Sequence, residues 1–157
     1  MINNFVFNGN SSQIIDGKNL LVPVPTNIVL KHGGASIPIT ITHPSNISNQ
    51  ISGNTSIIPS KSINALIDTG ASISGITLNL ARQLGLIQTG FQNVSSVHDN
   101  KPCPVYFAQI IFNWGASIQI PLVGLELKNI DCLIGRDVLM NWHFTYNGKN
   151  GTITICD

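Results

Sequence analysis

The chain has 157 residues and a formal net charge of +1, and although 43% of its residues are apolar only 10% are charged. A chain of this length can bury the core of one domain, and so small a share of charged residues argues against a solvated, disordered chain. Because basic residues do not cluster and no apolar run reaches membrane-spanning length, we expect neither nucleic acid nor a membrane as a partner.

The N-terminal part of the chain is weakly patterned. Short strands are predicted at 20–22 and 28–30, and Pro25 favours an edge or a loop over a central strand here. Apolar and polar residues alternate from 36 to 42, which is typical of a half-buried strand. The stretch from 43 to 62 is rich in Ser and Asn and predicts a loop or an irregular hairpin.

A carboxylate on a tight turn is the most informative feature of the chain. An apolar strand predicted at 63–67 ends at Asp68-Thr69-Gly70, and strand character resumes at 73–76. Gly70 allows the backbone to approach the carboxylate closely and to donate an N–H to it. If two copies of the chain meet at this turn, the Thr69 hydroxyl can form a hydrogen bond across the two-fold axis between them.

The triplet occurs only once in the chain, which has a consequence for assembly. A carboxylate on such a turn after a buried strand suits the hydrolysis of a peptide bond. This reaction needs two carboxylates, because two close carboxylates share a proton and divide the acid and base roles. A second chain must therefore bring the other one. A two-fold dimer does so directly, since an isologous interface pairs a residue on the axis with its own copy.

The best helix candidate in the first half runs from 77 to 85. Thr77 can cap its N-terminus, Leu80 and Leu84 share a face, and Gly85 stands where helices commonly end. The remaining predicted elements are strands at 94–97, 105–112, 117–122 and 131–134, a short helix at 136–142, and a hairpin that joins 144–146 to 152–155.

No metal site and no cofactor are predicted. Cys103, Cys132 and Cys156 have neither metal-ligand spacing nor the density of a disulfide framework. Reduced thiols in a cytoplasmic protein are therefore expected, and the N-terminus does not look like a secretory signal. His98 beside Asp99 would suit acid–base chemistry, but a solvated turn is the simpler interpretation, and the other histidines are scattered.

Two spaced segments resemble those of the retropepsin family of dimeric aspartic proteases, and most closely its bacterial members. The first segment reads Leu-Ile-Asp-Thr-Gly-Ala-Ser from 66 to 72, and the second reads Leu-Ile-Gly-Arg-Asp-Val-Leu from 133 to 139. The resemblance implies a mostly β chain with a closed, retropepsin-like (acid protease) β-barrel and one or two short helices. It assigns 36–157 to a retropepsin-like protease domain and leaves 1–35 as an N-terminal extension that can hold edge strands.

The resemblance also implies a function. The expected activity is that of an aspartic endopeptidase, active as a homodimer in which one Asp68 from each chain activates water to hydrolyse an extended peptide or protein substrate. Thr69 is expected to join the hydrogen bonds between the chains. The expected active-site turn continues with Thr69, Gly70, Ala71 and Ser72. The candidates for a flap over the substrate are Val97, His98, Asp99, Asn100 and Lys101. Structural support for the turn is expected from Leu133, Ile134, Gly135, Arg136 and Asp137.

Two departures from the viral members leave other functions open. Viral members carry an acidic residue four positions after the catalytic Asp, where this chain has Ser72, so Arg136 must find another partner or bond to backbone carbonyls. The candidate flap, 95–106, contains Pro102 and Pro104 and no glycine, so its tip is expected to differ in shape from a viral flap. The alternative is a retropepsin-like dimer that binds extended peptides but cleaves them slowly or not at all. A domain processed from a larger polyprotein is a third option.

Overall fold

The computed structural model of the chain describes residues 2–6, 9–15, 18–44, 58–95 and 100–156. The chain divides into two compact units, one formed by 37–138 and the other by 1–36 together with 139–157. In the described part of the chain, no helix is long and apolar enough to cross a membrane.

Six strands close into a mixed barrel. In order around the barrel they are β4 (Ser36–Thr42), β5 (Ser60–Ile67), β10 (Cys132–Ile134), β6 (Gly75–Thr77), β9 (Ser117–Leu125) and β8 (Asn100–Phe112). The barrel closes because β8 pairs back with β4, which places Ile39 opposite Phe112. Strand β10 pairs parallel with β5 and antiparallel with β6, so its end emerges beside the end of β5.

The interior of the barrel follows from alternation along its strands. In β4, Ile37, Ile39 and Ile41 are at most 2% exposed, whereas the residues between them are half-buried or exposed. Alternate side chains face the same side of a strand, so one face of β4 is wholly apolar. Burial of each such side chain contributes about 1.5–3 kcal/mol to folding. The strand predicted at 36–42 is confirmed.

A hairpin projects from the barrel sheet. Strand β7 (Gln88–Ser95) pairs antiparallel with the first half of β8, from Gln88 opposite Tyr106 to Ser95 opposite Asn100. The predicted strand at 94–97 therefore begins earlier, at Gln88. The sequence did not predict the first part of this strand, because it contains polar residues such as Gln92. Among the described strands β7 pairs with β8 alone, so it needs no apolar face along its whole length.

The predicted helix that follows the barrel strand β6 is confirmed as α2 (Leu78–Gln83). Thr77 Oγ1 accepts a hydrogen bond from Leu80 N at 3.3 Å, which satisfies a donor of the first turn. Leu80 is fully buried. Gly85 has a φ of 62°, which glycine adopts without strain at the end of a helix.

The smaller unit contains a three-stranded antiparallel sheet. Its strands, in order, are β1 (Ile2–Val6), β12 (Thr152–Cys156) and β11 (His143–Asn147), so the predicted C-terminal hairpin is confirmed. The rest of the N-terminal segment comprises the hairpin of β2 (Gly9–Ile15) with β3 (Lys18–Val24) and the helix α1 (Thr26–Gly33). The predicted boundary between an extension at 1–35 and a domain at 36–157 stays a prediction.

Three local predictions need correction. The strand predicted at 28–30 is wrong, because these residues lie in α1, and the described residues contain three short helices rather than one or two. β-branched residues favour a strand, but Leu30 is 1% exposed while Ile28 is 39% exposed, so the segment buries one side of a helix. The helix predicted at 136–142 is shorter and forms α3 (Arg136–Leu139).

Candidate active site

The turn that carries Asp68 begins where two parallel strands lie side by side. Strands β5 and β10 pair Leu66 with Leu133 and Ile67 with Ile134. Asp68 N then donates to Ile134 O at 2.9 Å. The two segments that carry the resemblance, 66–72 and 133–139, therefore leave the sheet as neighbours.

Gly135 allows the second segment to cross the first. A Cβ atom at this position would lie 2.6 Å from the carbonyl carbon of Ile73 and 2.8 Å from its oxygen. A side chain of any size would therefore clash with backbone, and only glycine fits the crossing.

The Asp68 carboxylate is half-buried and held from one side by its own turn. Oδ1 accepts hydrogen bonds from Gly70 N at 2.9 Å and Ala71 N at 3.1 Å. A Cβ atom at position 70 would lie 3.1 Å from Oδ1, so glycine gives the carboxylate room. Within the described residues, Oδ2 accepts no hydrogen bond. The turn thus orients the carboxylate and leaves one oxygen for another partner.

Arg136 bonds to the backbone of the same turn. Its Nη1 donates to Thr69 O at 2.8 Å and to Gly70 O at 2.9 Å. Its backbone N donates to Ala71 O at 3.0 Å. Position 72 holds a serine and offers no carboxylate. The Arg136 guanidinium bonds to backbone carbonyl groups of the turn instead.

Asp137 and Ser74 form a second set of contacts below the turn. Asp137 accepts from Ser74 N at 2.9 Å and from Ser74 Oγ at 2.7 Å. The hydroxyl oxygen in turn accepts from Gly135 N at 3.0 Å. Ser74 is 0% exposed, so these bonds satisfy buried polar groups that would otherwise destabilise the crossing. Sequence reasoning missed Ser74, because a serine inside the strand predicted at 73–76 carries no local signal of a buried contact.

A cavity of about 370 Å³ lies beside the Asp68 turn. One wall is the turn from Gly70 to Ile73, and another is the 92–94 segment of β7. The remaining lining residues are Val123, Leu125 and Leu133. Apolar side chains of β9 and β10 therefore meet the polar side chains of Gln92 and Asn93 beside the Asp68 turn.

The predicted flap coincides with the β7–β8 hairpin only in part. Val97, His98 and Asp99 lie outside the described residues. Asn100 and Lys101 are the first residues of β8, and Lys101 pairs with Val94. The role of these residues over a substrate stays a prediction.

The described residues also include a second cavity and a buried thiol. Among the described residues, no group of three or more His, Cys, Asp or Glu could hold a metal ion. A larger, open cavity of about 510 Å³ lies between α2 and the β9–β10 connection, and no predicted site residue lines it. Burial, together with the negative charges of Asp131 and Asp137, raises the pKa of the Cys132 thiol to about 12. Cys132 is thus an inert core thiol.

No protein-family model and no curated protein matches the chain. Among solved structures, the chain is similar to a retropepsin-like aspartic protease from Rickettsia conorii, with 15% identity and a TM-score of 0.50 over 99% of this chain and 91% of that one. It is also similar to the retroviral protease-like domain of Ddi1 from Leishmania major, with 17% identity over 78% of this chain and 87% of that one. The TM-score of that second match is 0.45.

The first likeness shows a shared fold. The closed mixed barrel, in which the two motif segments begin on β5 and β10, is a retropepsin-like fold, as the sequence predicted.

Proposed function

We propose that the chain is an aspartic endopeptidase that acts as a homodimer, with Asp68 of each chain as the catalytic residue. The observation that carries the proposal is the geometry of the Asp68 turn in a retropepsin-like fold. Two backbone N–H groups hold Oδ1, while Oδ2 accepts nothing from the described residues. A carboxylate held in this way is suited to bind a water molecule.

The two-fold axis supplies the second carboxylate. An isologous interface at the turn brings Asp68 next to its own copy, and two such groups share one proton because like charges at short range disfavour double ionisation. The ionised member takes a proton from the bound water while the protonated member polarises the scissile carbonyl. Because the reaction needs one ionised and one protonated carboxylate, kcat/KM should pass through a maximum as the pH is varied.

The cavity beside the turn supports an extended peptide as the substrate. Its walls include Val94 on the hairpin and Leu125 and Leu133 on the barrel, so apolar side chains next to the cut bond are favoured. The edge of β7 faces no further strand in the described sheet and could pair with an extended chain. We also propose a cytoplasmic location, which the three free cysteines support.

The decisive variant is Asp68→Asn. It keeps the size of the side chain and removes the proton exchange, so cleavage should fall by at least about 10²–10⁴-fold while folding and solution mass stay unchanged. Digestion of a peptide library, followed by mass spectrometry, identifies the cuts, and analytical ultracentrifugation gives the mass. Full cleavage by a clean Asp68→Asn preparation would contradict the mechanism.

The β7–β8 hairpin favours a second candidate, a dimer that binds peptides without efficient cleavage. Pro102 and Pro104 lie in the part of β8 that pairs with β7, and proline has no backbone N–H to donate. This hairpin therefore differs chemically from a glycine-rich flap. The same library separates the two functions. Reproducible cuts that depend on Asp68 favour the enzyme, and peptide binding without cuts favours the binding protein.

A further inference from the structure

Two peptide groups lie between the Arg136 guanidinium and the Asp68 carboxylate. In the first, Thr69 O accepts from Arg136 Nη1 at 2.8 Å. The other end of this peptide, Gly70 N, donates to Asp68 Oδ1 at 2.9 Å. In the second, Gly70 O accepts from the same Nη1 at 2.9 Å, and Ala71 N donates to the same Oδ1 at 3.1 Å. Two peptide groups thus connect the same pair of atoms, Arg136 Nη1 and Asp68 Oδ1.

Both peptide dipoles are aligned between opposite charges. A cation at the carbonyl end draws electron density towards the oxygen and makes the N–H at the other end a stronger donor, because hydrogen bonds in a chain polarise one another. Bonds to charged groups are also roughly twice as strong as neutral ones. Arg136 can therefore act on the Asp68 carboxylate without touching it.

An ion pair does not account for the position of this side chain. Among the described residues, Arg136 forms no ion pair with a carboxylate. Its side chain is exposed and could face water. It bonds instead to the two carbonyls whose peptides serve Asp68, and its backbone N holds it to Ala71 O of the same turn.

We propose that Arg136 is a positioning residue for the Asp68 carboxylate, acting through the Thr69–Gly70 and Gly70–Ala71 peptide groups. The proposal rests on the proposed function, since it treats Asp68 as the group that activates water. According to this proposal, loss of the Arg136 guanidinium loosens the turn and weakens both N–H donors at Asp68 Oδ1. A misplaced catalytic group slows the chemical step and leaves substrate binding unchanged.

The kinetic test uses Arg136→Gln, Arg136→Lys and the matched control Arg82→Gln. Arg82 is the other arginine of the chain, is exposed on α2 and makes no contact with the turn. We expect Arg136→Gln to lower kcat about 10- to 100-fold with KM within about twofold. Arg136→Lys keeps the charge and should recover part of the loss, and Arg82→Gln should behave as the wild type.

A spectroscopic test does not depend on activity. The amide ¹H and ¹⁵N resonances of Gly70 and Ala71 report on their hydrogen bonds to Asp68 Oδ1. Arg136→Gln should move both amide protons upfield, and Arg82→Gln should move neither. The solution mass of each variant is measured at the assay concentration, so that loss of assembly is seen separately.

The outcomes separate this proposal from the proposed function. If wild-type protein makes no Asp68-dependent cuts but the two amides respond to Arg136→Gln, the protease assignment fails and the positioning role stands. If Arg136→Gln matches Arg82→Gln in kcat and in both amide shifts, the positioning role is overturned. It is also overturned if the Arg136 variants lose activity only by dissociation or unfolding, with the amide shifts of the folded protein unchanged.

Discussion

The Asp68 turn and the β7–β8 hairpin form two walls of the same cavity and are held in opposite ways. In the turn, the Arg136 and Asp137 side chains and the buried Ser74 hydroxyl bind backbone groups. In the hairpin, Phe91 is 70% exposed and prolines replace two backbone donors of β8.

This contrast indicates a division of labour. The chemistry requires a carboxylate in one orientation, and groups from two distant segments determine that orientation. In the proposed protease the hairpin would supply surface for a substrate, and it makes no hydrogen bond to the Asp68 carboxylate among the described residues. Substitutions in the turn should therefore change stability and kcat, and substitutions in the hairpin should change KM.

The largest difference is expected for a pair of glycine substitutions. Gly135→Ala pushes a Cβ into the backbone of Ile73, which cannot move aside, so the free energy of unfolding should fall by about 3 kcal/mol. Gly90→Ala in β7 is the control, because no atom lies within 4 Å of its added Cβ, and a change below about 0.5 kcal/mol is expected. Urea unfolding measures both. Equal losses of unfolding free energy in the two variants would contradict the difference between the turn and the hairpin.

A smaller effect is expected for Ser74→Ala. It leaves Gly135 N without a hydrogen-bond acceptor in a buried site and removes one of the two hydrogen bonds to Asp137 Oδ1, and should cost about 2 kcal/mol of unfolding free energy. Ser72→Ala is the matched control, since Ser72 is exposed two residues away. If thermal and urea unfolding give the same small change for both variants, the buried contacts do not hold the turn.

The smallest effect is expected in the hairpin, for Val94→Ala. Val94 is half-buried and lines the cavity, so its truncation removes about 1 kcal/mol of apolar contact and should raise KM about fivefold with kcat unchanged. Phe91→Ala serves as the control, because Phe91 is exposed and does not line this cavity. Steady-state kinetics on a peptide that the wild type cleaves measures both. A lower kcat at constant KM would place the hairpin in the catalytic machinery.

Much of the fold could be predicted because its signals are local. The alternation at 36–42, the Thr77 cap and the two motif segments all correspond to observed elements. The signals failed where burial decided the outcome. Residues 28–30 have strand propensity but form α1, and β7 has few apolar residues but pairs with β8 along its length.

By itself, the sequence determined the retropepsin-like fold and the Asp68 turn, since short motifs with a fixed order specify strands, a tight turn and a crossing glycine. Only the tertiary structure decided which groups hold that turn. Ser72 offers Arg136 no acidic partner, and the groups to which Arg136 bonds are carbonyls 66 and 67 residues away along the chain. The buried contact of Ser74 with Asp137 spans 63 residues. Such bonds depend on how distant backbone segments approach one another, and no local pattern of side chains encodes that approach.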